Sequence, residues 1–208
     1  MTSNSSGNDL SGPLTGLRVL ELTGEHAQFC GKLLADLGAD VIKIEPPGGQ
    51  ETRKVGPYLN DEDHLERSLY FWHYNTSKRG VTLDITTPEG QEILKKLAAT
   101  AGLVLESFPA GYLPSIGLGY EDLSAINPSL IMCSVTPFGQ DGPWRDYQTS
   151  DLLHLAAGGQ MASSGYDVED IPDAPPIAPG GGNSWHIASH YAYIGIMGAL
   201  YHRDFTGE

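Results

Sequence analysis

The chain has 208 residues, enough for one domain with a sizeable core. Its 26 acidic residues against 12 basic ones leave a formal net charge of −14, which argues against nucleic acid and anionic membrane surfaces as partners, since both recruit Lys/Arg patches. Two cysteines, Cys30 and Cys133, lie in apolar segments without a CxxC pair, which argues against a disulfide framework or a cysteine metal site. No apolar run is long enough to span a bilayer.

Residues 1–12, MTSNSSGNDLSG, lack the basic and apolar regions of a signal peptide and are expected to be a disordered tail. A cytoplasmic location is expected with it. Residues 13–208 are expected to form one domain. Arg18–Leu22 predicts a short apolar strand, followed by a turn at Thr23-Gly24-Glu25-His26. Phe29, Leu33, Leu34 and Leu37 recur at helical spacing, and Gly38 stands where a helix is stopped by glycine. Val41, Ile42 and Ile44 predict the next strand. A strand, helix and strand in this order form a parallel βαβ unit with a right-handed crossover. Ligands of such sheets bind at the carboxyl ends of the strands, so the turn Gly24–Gln28 is the first place to look for a site. It holds one glycine where a dinucleotide fingerprint needs three, which excludes NAD and FAD there.

A sharp loop follows at Pro46-Pro47-Gly48-Gly49, then a polar stretch with Arg53 and Lys54, then the aromatic segment Leu69–Tyr74. Asn75–Gly80 reads as a polar turn with Lys78 and Arg79, and Val81–Asp84 as a strand. Thr87 is the predicted N-cap of a helix with Pro88 in its first position, running to about Thr100 with Ile93, Leu94 and Leu97 toward the core. Leu103–Glu106 predicts a strand, Tyr112–Ile116 a helical turn, Tyr120–Ile126 a helix ended by Asn127-Pro128, and Leu130–Val135 a further strand. This alternation is the mark of an α/β fold, a Rossmann-like open sheet, mainly parallel, with flanking helices. Beyond it, Asp151–Ala162 predicts a helix, and Gly165–Gly182 a long loop rich in Pro, Gly and Asp. Ser184–Arg203 predicts a closing long helix with Ile187, Tyr191, Ile194, Met197 and Leu200 on its apolar face.

Five segments together carry a resemblance. They are Leu33–Glu45 (LLADLGADVIKIE), Asn75–Asp84 (NTSKRGVTLD), Gly117–Leu123 continuing through Ile126-Asn127-Pro128, Phe138–Pro143 (FGQDGP) and Gly195–Leu200 (GIMGAL). In this order and spacing the chain resembles the class III CoA-transferases. That family includes formyl-CoA transferase, carnitine CoA-transferase and the related α-methylacyl-CoA racemases. The resemblance implies an open Rossmann-like domain in an interlocked homodimer. It also implies transfer of CoA between an acyl-CoA thioester and a carboxylic acid, through covalent attack by an aspartate. Coenzyme A or acyl-CoA is then the substrate, and no metal is implied.

The family aspartate lies about nine residues after a Pro-Pro pair and ten before the Gly-Ile of the long helix. Counting forward from Pro176 and back from Gly195 gives the same position, and it holds Trp185. The racemase histidine position, directly before Asp151, holds Ser150. The resemblance implies CoA contacts at His26 and Ala27, at Leu83, Asp84, Ile85 and Thr86, and at Ser107 and Phe108. It also implies basic residues for the CoA phosphates where this chain has Pro46 and Ser115. Losing two such contacts costs roughly 1.5–3 kcal/mol each. Arg53, Lys78 and Arg79 are the cations that could replace them, or could be plain surface charges. Family members run to about twice this length, so a truncated chain, or one module of a homo- or hetero-oligomer with a catalytic family member, is expected.

Asp151 is the remaining carboxylate near the site, a weak candidate catalyst that also reads as the N-cap of its helix. His154 could pair with it at i,i+3. His186 and His190 at i,i+4 have metal-binding spacing without an accompanying glutamate. Trp185 reads as packing in an emptied pocket. Gly180-Gly181-Gly182 would let backbone approach a ligand, or serve as a linker.

Overall fold

The apolar strands and the helices between them build one parallel sheet. The computed structural model describes residues 12–166, 170–171 and 173–207, so the expected tail lies outside the described residues except for Gly12. Strands β1 (Arg18–Leu22), β2 (Asp40–Glu45), β3 (Arg79–Thr82), β4 (Leu103–Glu106) and β5 (Ile131–Ser134) form a five-stranded sheet in the order β3-β2-β1-β4-β5. Every pairing is parallel, with Arg18 opposite Asp40, Leu20 opposite both Ile42 and Val104, and Leu103 opposite Ile131. The order reverses between β1 and β4. Such a reversal opens a crevice at the carboxyl ends of those two strands.

The helices are α1 (Gln28–Asp36), α2 (Leu69–Tyr74), α3 (Pro88–Ala98), α4 (Tyr112–Ser115), α5 (Tyr120–Ser124), α6 (Asp151–Ala157) and α7 (Asn183–Thr206). Alternation along each strand divides the core in two. Leu20, Leu22 and Val104 face one side and pack with Leu94 and Ala98 of α3, Leu113 of α4 and Leu123 of α5. Val19, Val41, Leu103 and Leu105 face the other side, against Cys30, Leu34 and Ala35 of α1 and Ile196 of α7. The sheet is therefore covered on both faces, as near-continuous apolar strands require.

Several expectations are met in detail. Thr87 accepts a hydrogen bond from Gly90 N and Pro88 opens α3. Gly38 has φ +96, the left-handed conformation that glycine adopts without penalty beyond a helix end. Others are corrected. The segment Leu69–Tyr74 is helix α2, started by Ser68, whose Oγ accepts from Phe71 N. Strand β3 begins two residues early, at Arg79, because its pairing with Ile42–Glu45 fixes the register. The helix expected over Asp151–Ala162 breaks at Gly159, which has φ +81, and continues as a 3-10 turn at Gln160–Ser163. Ile93 faces solvent on α3, where Gly90, Leu94 and Ala98 form the buried stripe. In α7 the expected face is met only in part: Met197 and Leu200 pack against the core, Ile187, Tyr191 and Ile194 are exposed, and Trp185, Ser189 and Ile196 are buried. Arg203 anchors the far end of α7 by donating from Nη1 to Gly102 O and Ser129 O.

Candidate functional site

The crevice at the reversal is closed by four segments. After β1 the chain turns through Thr23–Ala27 into α1. After β4 it passes through Ser107-Phe108, and Ser107 Oγ accepts from Gly24 N at 2.9 Å, which ties the two strand ends together. After β5 it passes through Val135–Pro137. The first turn of α7 closes the top, with Gly182 in the left-handed conformation at its N-cap.

A cavity of about 290 Å³ lies here, lined by His26, Val135–Pro137, His154, Leu155, Ser184 and Trp185 among others. Trp185 is 9% exposed and packs against two imidazoles, with ring centroids 4.2 Å from His26 and 5.3 Å from His154. Phe138 lies 5.1 Å from His154 on the other side. Burial pulls the His26 imidazole below its ordinary pKa, against the opposing charge of Glu25. Burial lowers His154 likewise, and its Nε2 is buried without a hydrogen-bond partner among the described residues. Burial thus favours the neutral form of both rings. A second cavity of about 320 Å³ shares His26 and Pro137 with the first and extends past Ser107 and Phe108 to Arg145.

Of the residues singled out in the sequence, the structure brings His26, Ser107, Phe108, His154 and Trp185 to these two cavities, while Ala27 is buried. Leu83, Asp84, Ile85 and Thr86 are elsewhere, past the carboxyl end of the edge strand β3. Asp84 Oδ1 accepts from Thr86 N and Oγ1 there, and Ile85 is buried in the core. Asp151 is not the cap of its own helix. Ser150 is, accepting from Leu153 N. Asp151 Oδ1 instead accepts from Ser184 N at 2.9 Å and Ser184 Oγ at 2.5 Å, so it caps α7 from outside. His186 Nε2 lies 2.7 Å from Tyr74 Oη, and His190 Nδ1 lies 2.8 Å from His186 O. Those two rings are turned to separate partners. Among the described residues no cluster of three His, Cys, Asp or Glu side chains has a metal-binding arrangement.

The three cations proposed for phosphates are engaged within the chain. Arg53 forms a two-pronged pair with Glu45, at 2.6 and 2.8 Å, over the Phe71 ring. Arg79 does the same with Asp40, at 2.8 and 2.7 Å. Lys78 is buried beside Glu21, with Nζ 2.8 Å from Oε2, and Lys43 Nζ lies 3.0 Å from Oε1 of the same carboxylate. Burial opposes the Glu21 charge, yet the two lysines together hold its carboxyl below the usual range. Sequence reasoning missed this cluster and Arg145. Charged residues within apolar strand segments, Glu21 in RVLEL and Lys43 in DVIKIE, were its visible signs.

Comparison with known proteins agrees with the geometry. The family model described as CoA-transferase family III matches residues 14–208. The chain is 39% identical over 191 residues to the Thauera aromatica protein named succinyl-CoA:(R)-benzylsuccinate CoA-transferase subunit BbsE, covering 92% of this chain and 45% of that one. It is 41% identical over 198 residues to succinyl-CoA–D-citramalate CoA-transferase of Chloroflexus aurantiacus, covering 94% and 47%. A crystal structure of a CAIB/BAIF family protein from Brucella suis superposes with a TM-score of 0.85 at 40% identity, over 95% of this chain and 51% of that one. The chain thus spans about half the length of the relatives it matches. With the five-stranded parallel sheet, the crevice at the β1–β4 reversal and this match over nearly all its described length, the chain belongs to CoA-transferase family III.

Proposed function

We propose that this chain is the acyl-CoA-binding half of a class III CoA-transferase, in which CoA passes from an acyl-CoA to a small carboxylic acid. Within that assembly it supplies a binding wall and no nucleophile. The observation that carries the reading is Trp185, packed against His26 and His154 at the position that the sequence resemblance assigns to the family aspartate. Transfer in the resembled family needs a carboxylate to attack the thioester carbonyl and release CoA as the thiolate. An indole nitrogen lone pair is delocalised into the ring and cannot do this. Asp151 is a poor substitute because Ser184 N and Oγ already occupy its Oδ1. The carboxylate then comes from a second, catalytic family chain in a hetero-oligomer, and the naming of the Thauera relative as a subunit supports that arrangement. A cytoplasmic location fits such a reaction. Among the described residues no helix is long and apolar enough to cross a membrane.

Intact-mass measurement after incubation with acetyl-CoA or succinyl-CoA tests the reading. The purified chain should bind the thioester, seen as a rise in melting temperature, without gaining a covalent acyl or CoA adduct. Ligand at about 100 times its Kd stabilises by roughly 2.7 kcal/mol. Transfer activity should appear only when a second chain bearing the aspartate co-purifies. A covalent adduct on this chain, or full transfer activity from it alone, overturns the proposal.

A further inference from the structure

We infer that Arg145 forms an anion subsite of the candidate site, taking an oxyanion group of the ligand, either a CoA phosphate or the carboxylate of the acid. The inference rests on the acyl-CoA reading above and goes beyond it, because no residue of the resemblance points to this position. Arg145 lies in the loop after Phe138 and lines the second cavity together with Ser107, Phe108 and His26. That cavity meets the Trp185 cavity at His26 and Pro137. A ligand whose reactive end lies against Trp185 therefore extends toward Arg145.

Charge singles this residue out. Among the described residues it is the one Lys or Arg lining these two cavities, with Asp146 beside it in the lining of the second. The chain carries a formal charge of −14, so a polyanionic ligand needs a local cation to dock. Arg53, Lys78 and Arg79 are held by Glu45, Glu21 and Asp40. Arg145 is differently placed. Its Nη2 donates to Ala110 O at 3.0 Å, which orients the guanidinium over the loop that follows β4. Its acidic neighbour Asp146 is 3.6 Å away and its side chain is 85% exposed, a pairing too loose and too wet to neutralise the cation. A guanidinium carries five N–H donors in a planar fork, so one carbonyl contact leaves most of them for a phosphate or carboxylate.

Titration calorimetry on the full chain tests the assignment, with CoA, S-acetylpantetheine (which lacks the nucleotide phosphates) and succinate as probes. For a phosphate source, Arg145→Gln weakens CoA about tenfold to a hundredfold, as expected for loss of one charge-assisted contact. It leaves S-acetylpantetheine unchanged, and Arg145→Lys recovers part of the loss. For a carboxylate source, the same variant weakens succinate and leaves CoA unchanged. Unchanged affinity for both CoA and succinate overturns the inference. So does an equal loss for all three probes, which would mark a disturbed loop. If the wild-type chain binds neither CoA nor succinate, the acyl-CoA reading itself falls and this inference falls with it.

Discussion

Replacing Glu21 by glutamine probes the charge cluster beneath the site. Glu21 is fully buried in β1, and the Lys43 and Lys78 side chains beside it are each 2% exposed. Its Oε1 also accepts from Thr23 Oγ1 at 2.6 Å. Lys43 Nζ donates to Thr23 O at 2.9 Å, and Lys78 Nζ to Gln28 O at 2.8 Å and Asn75 Oδ1 at 2.9 Å. One carboxylate thus faces two ammonium groups and ties β1, β2, α1 and the approach to β3 together. Glutamine keeps the shape and removes the charge, leaving two buried cations facing each other. Removing one partner of a buried ion pair costs about 3–5 kcal/mol. For a domain of this size each kcal/mol moves Tm by about 2–4 °C, so the expected fall is roughly 6–20 °C. Urea denaturation followed by circular dichroism gives the free energy directly. The double variant Glu21→Gln with Lys78→Met removes the second cation as well, and should recover at least about 1 kcal/mol relative to the sum of the single losses. A Glu21→Gln loss under about 1 kcal/mol, or strictly additive singles, would refute the idea that the cluster is a coupled buried charge unit.

The same cluster sets a pH dependence. Burial pulls the Lys78 ammonium down to about 8, against the attraction of Glu21. Between about pH 8 and the ordinary lysine value near 10.5, the unfolded chain holds a proton that the folded chain has released. Stability contributed by Lys78 therefore rises with pH across that window, and Lys78→Met should abolish the rise in denaturation curves taken from pH 7.5 to 10. Glu21 acts at the acid end: its carboxyl sits below the ordinary value, so its contribution is present at neutral pH and is lost as acid protonates it below about 4.5. Asp151→Ala should cost about 0.5–2 kcal/mol through the lost cap on α7, while calorimetry shows CoA affinity unchanged. Leu94→Ala should cost about 2–5 kcal/mol, whereas Ile93→Ala, one residue away and exposed, should cost about 1 kcal/mol or less in the same urea melts.

Strands and caps were legible because their signals are local. Arg18–Leu22 and Leu103–Glu106 are strands over the very residues expected, since each is a short apolar run bounded by turn residues. Thr87-Pro88 starts a helix by satisfying its own first amides. The turn after β1, named from the sequence as the first place to look, lies beside Ser107 in the structure, whereas the strand order, and with it the reversal between β1 and β4, was not legible, because it depends on which strands pair. What could not be read was partnership between distant side chains. Lys78 and Arg79 are adjacent in sequence, yet Lys78, just before β3, enters a buried cluster with Glu21, while Arg79, the first residue of β3, pairs with Asp40 near the surface. Arg145 went unremarked for the converse reason. Only the folding of the 139–147 loop against Ala110 brings it to the cavity.

Helix α7 shows the same limit in another form. Periodicity alone puts Ile187, Tyr191, Ile194, Met197 and Leu200 on one inner face. The structure splits them: Met197 and Leu200 pack against the sheet-side core, while Ile187, Tyr191 and Ile194 are exposed. The reason lies in what each position touches. On the sheet side lie Val19, Leu103, Leu105 and the α1 residues Cys30 and Leu34. Ile196 is buried against them, Ala192, Tyr193, Met197 and Leu200 pack partly buried beside it, and Trp185 lines the cavity beyond. Ile187, Tyr191 and Ile194 are left outward, with Ile187 at 47% and Tyr191 at 72% exposure. Periodicity marks an apolar face, but which part of it is buried depends on which positions the sheet and α1 reach. On this helix they reach Ile196, Met197 and Leu200, while the buried Trp185 packs against His26 and His154.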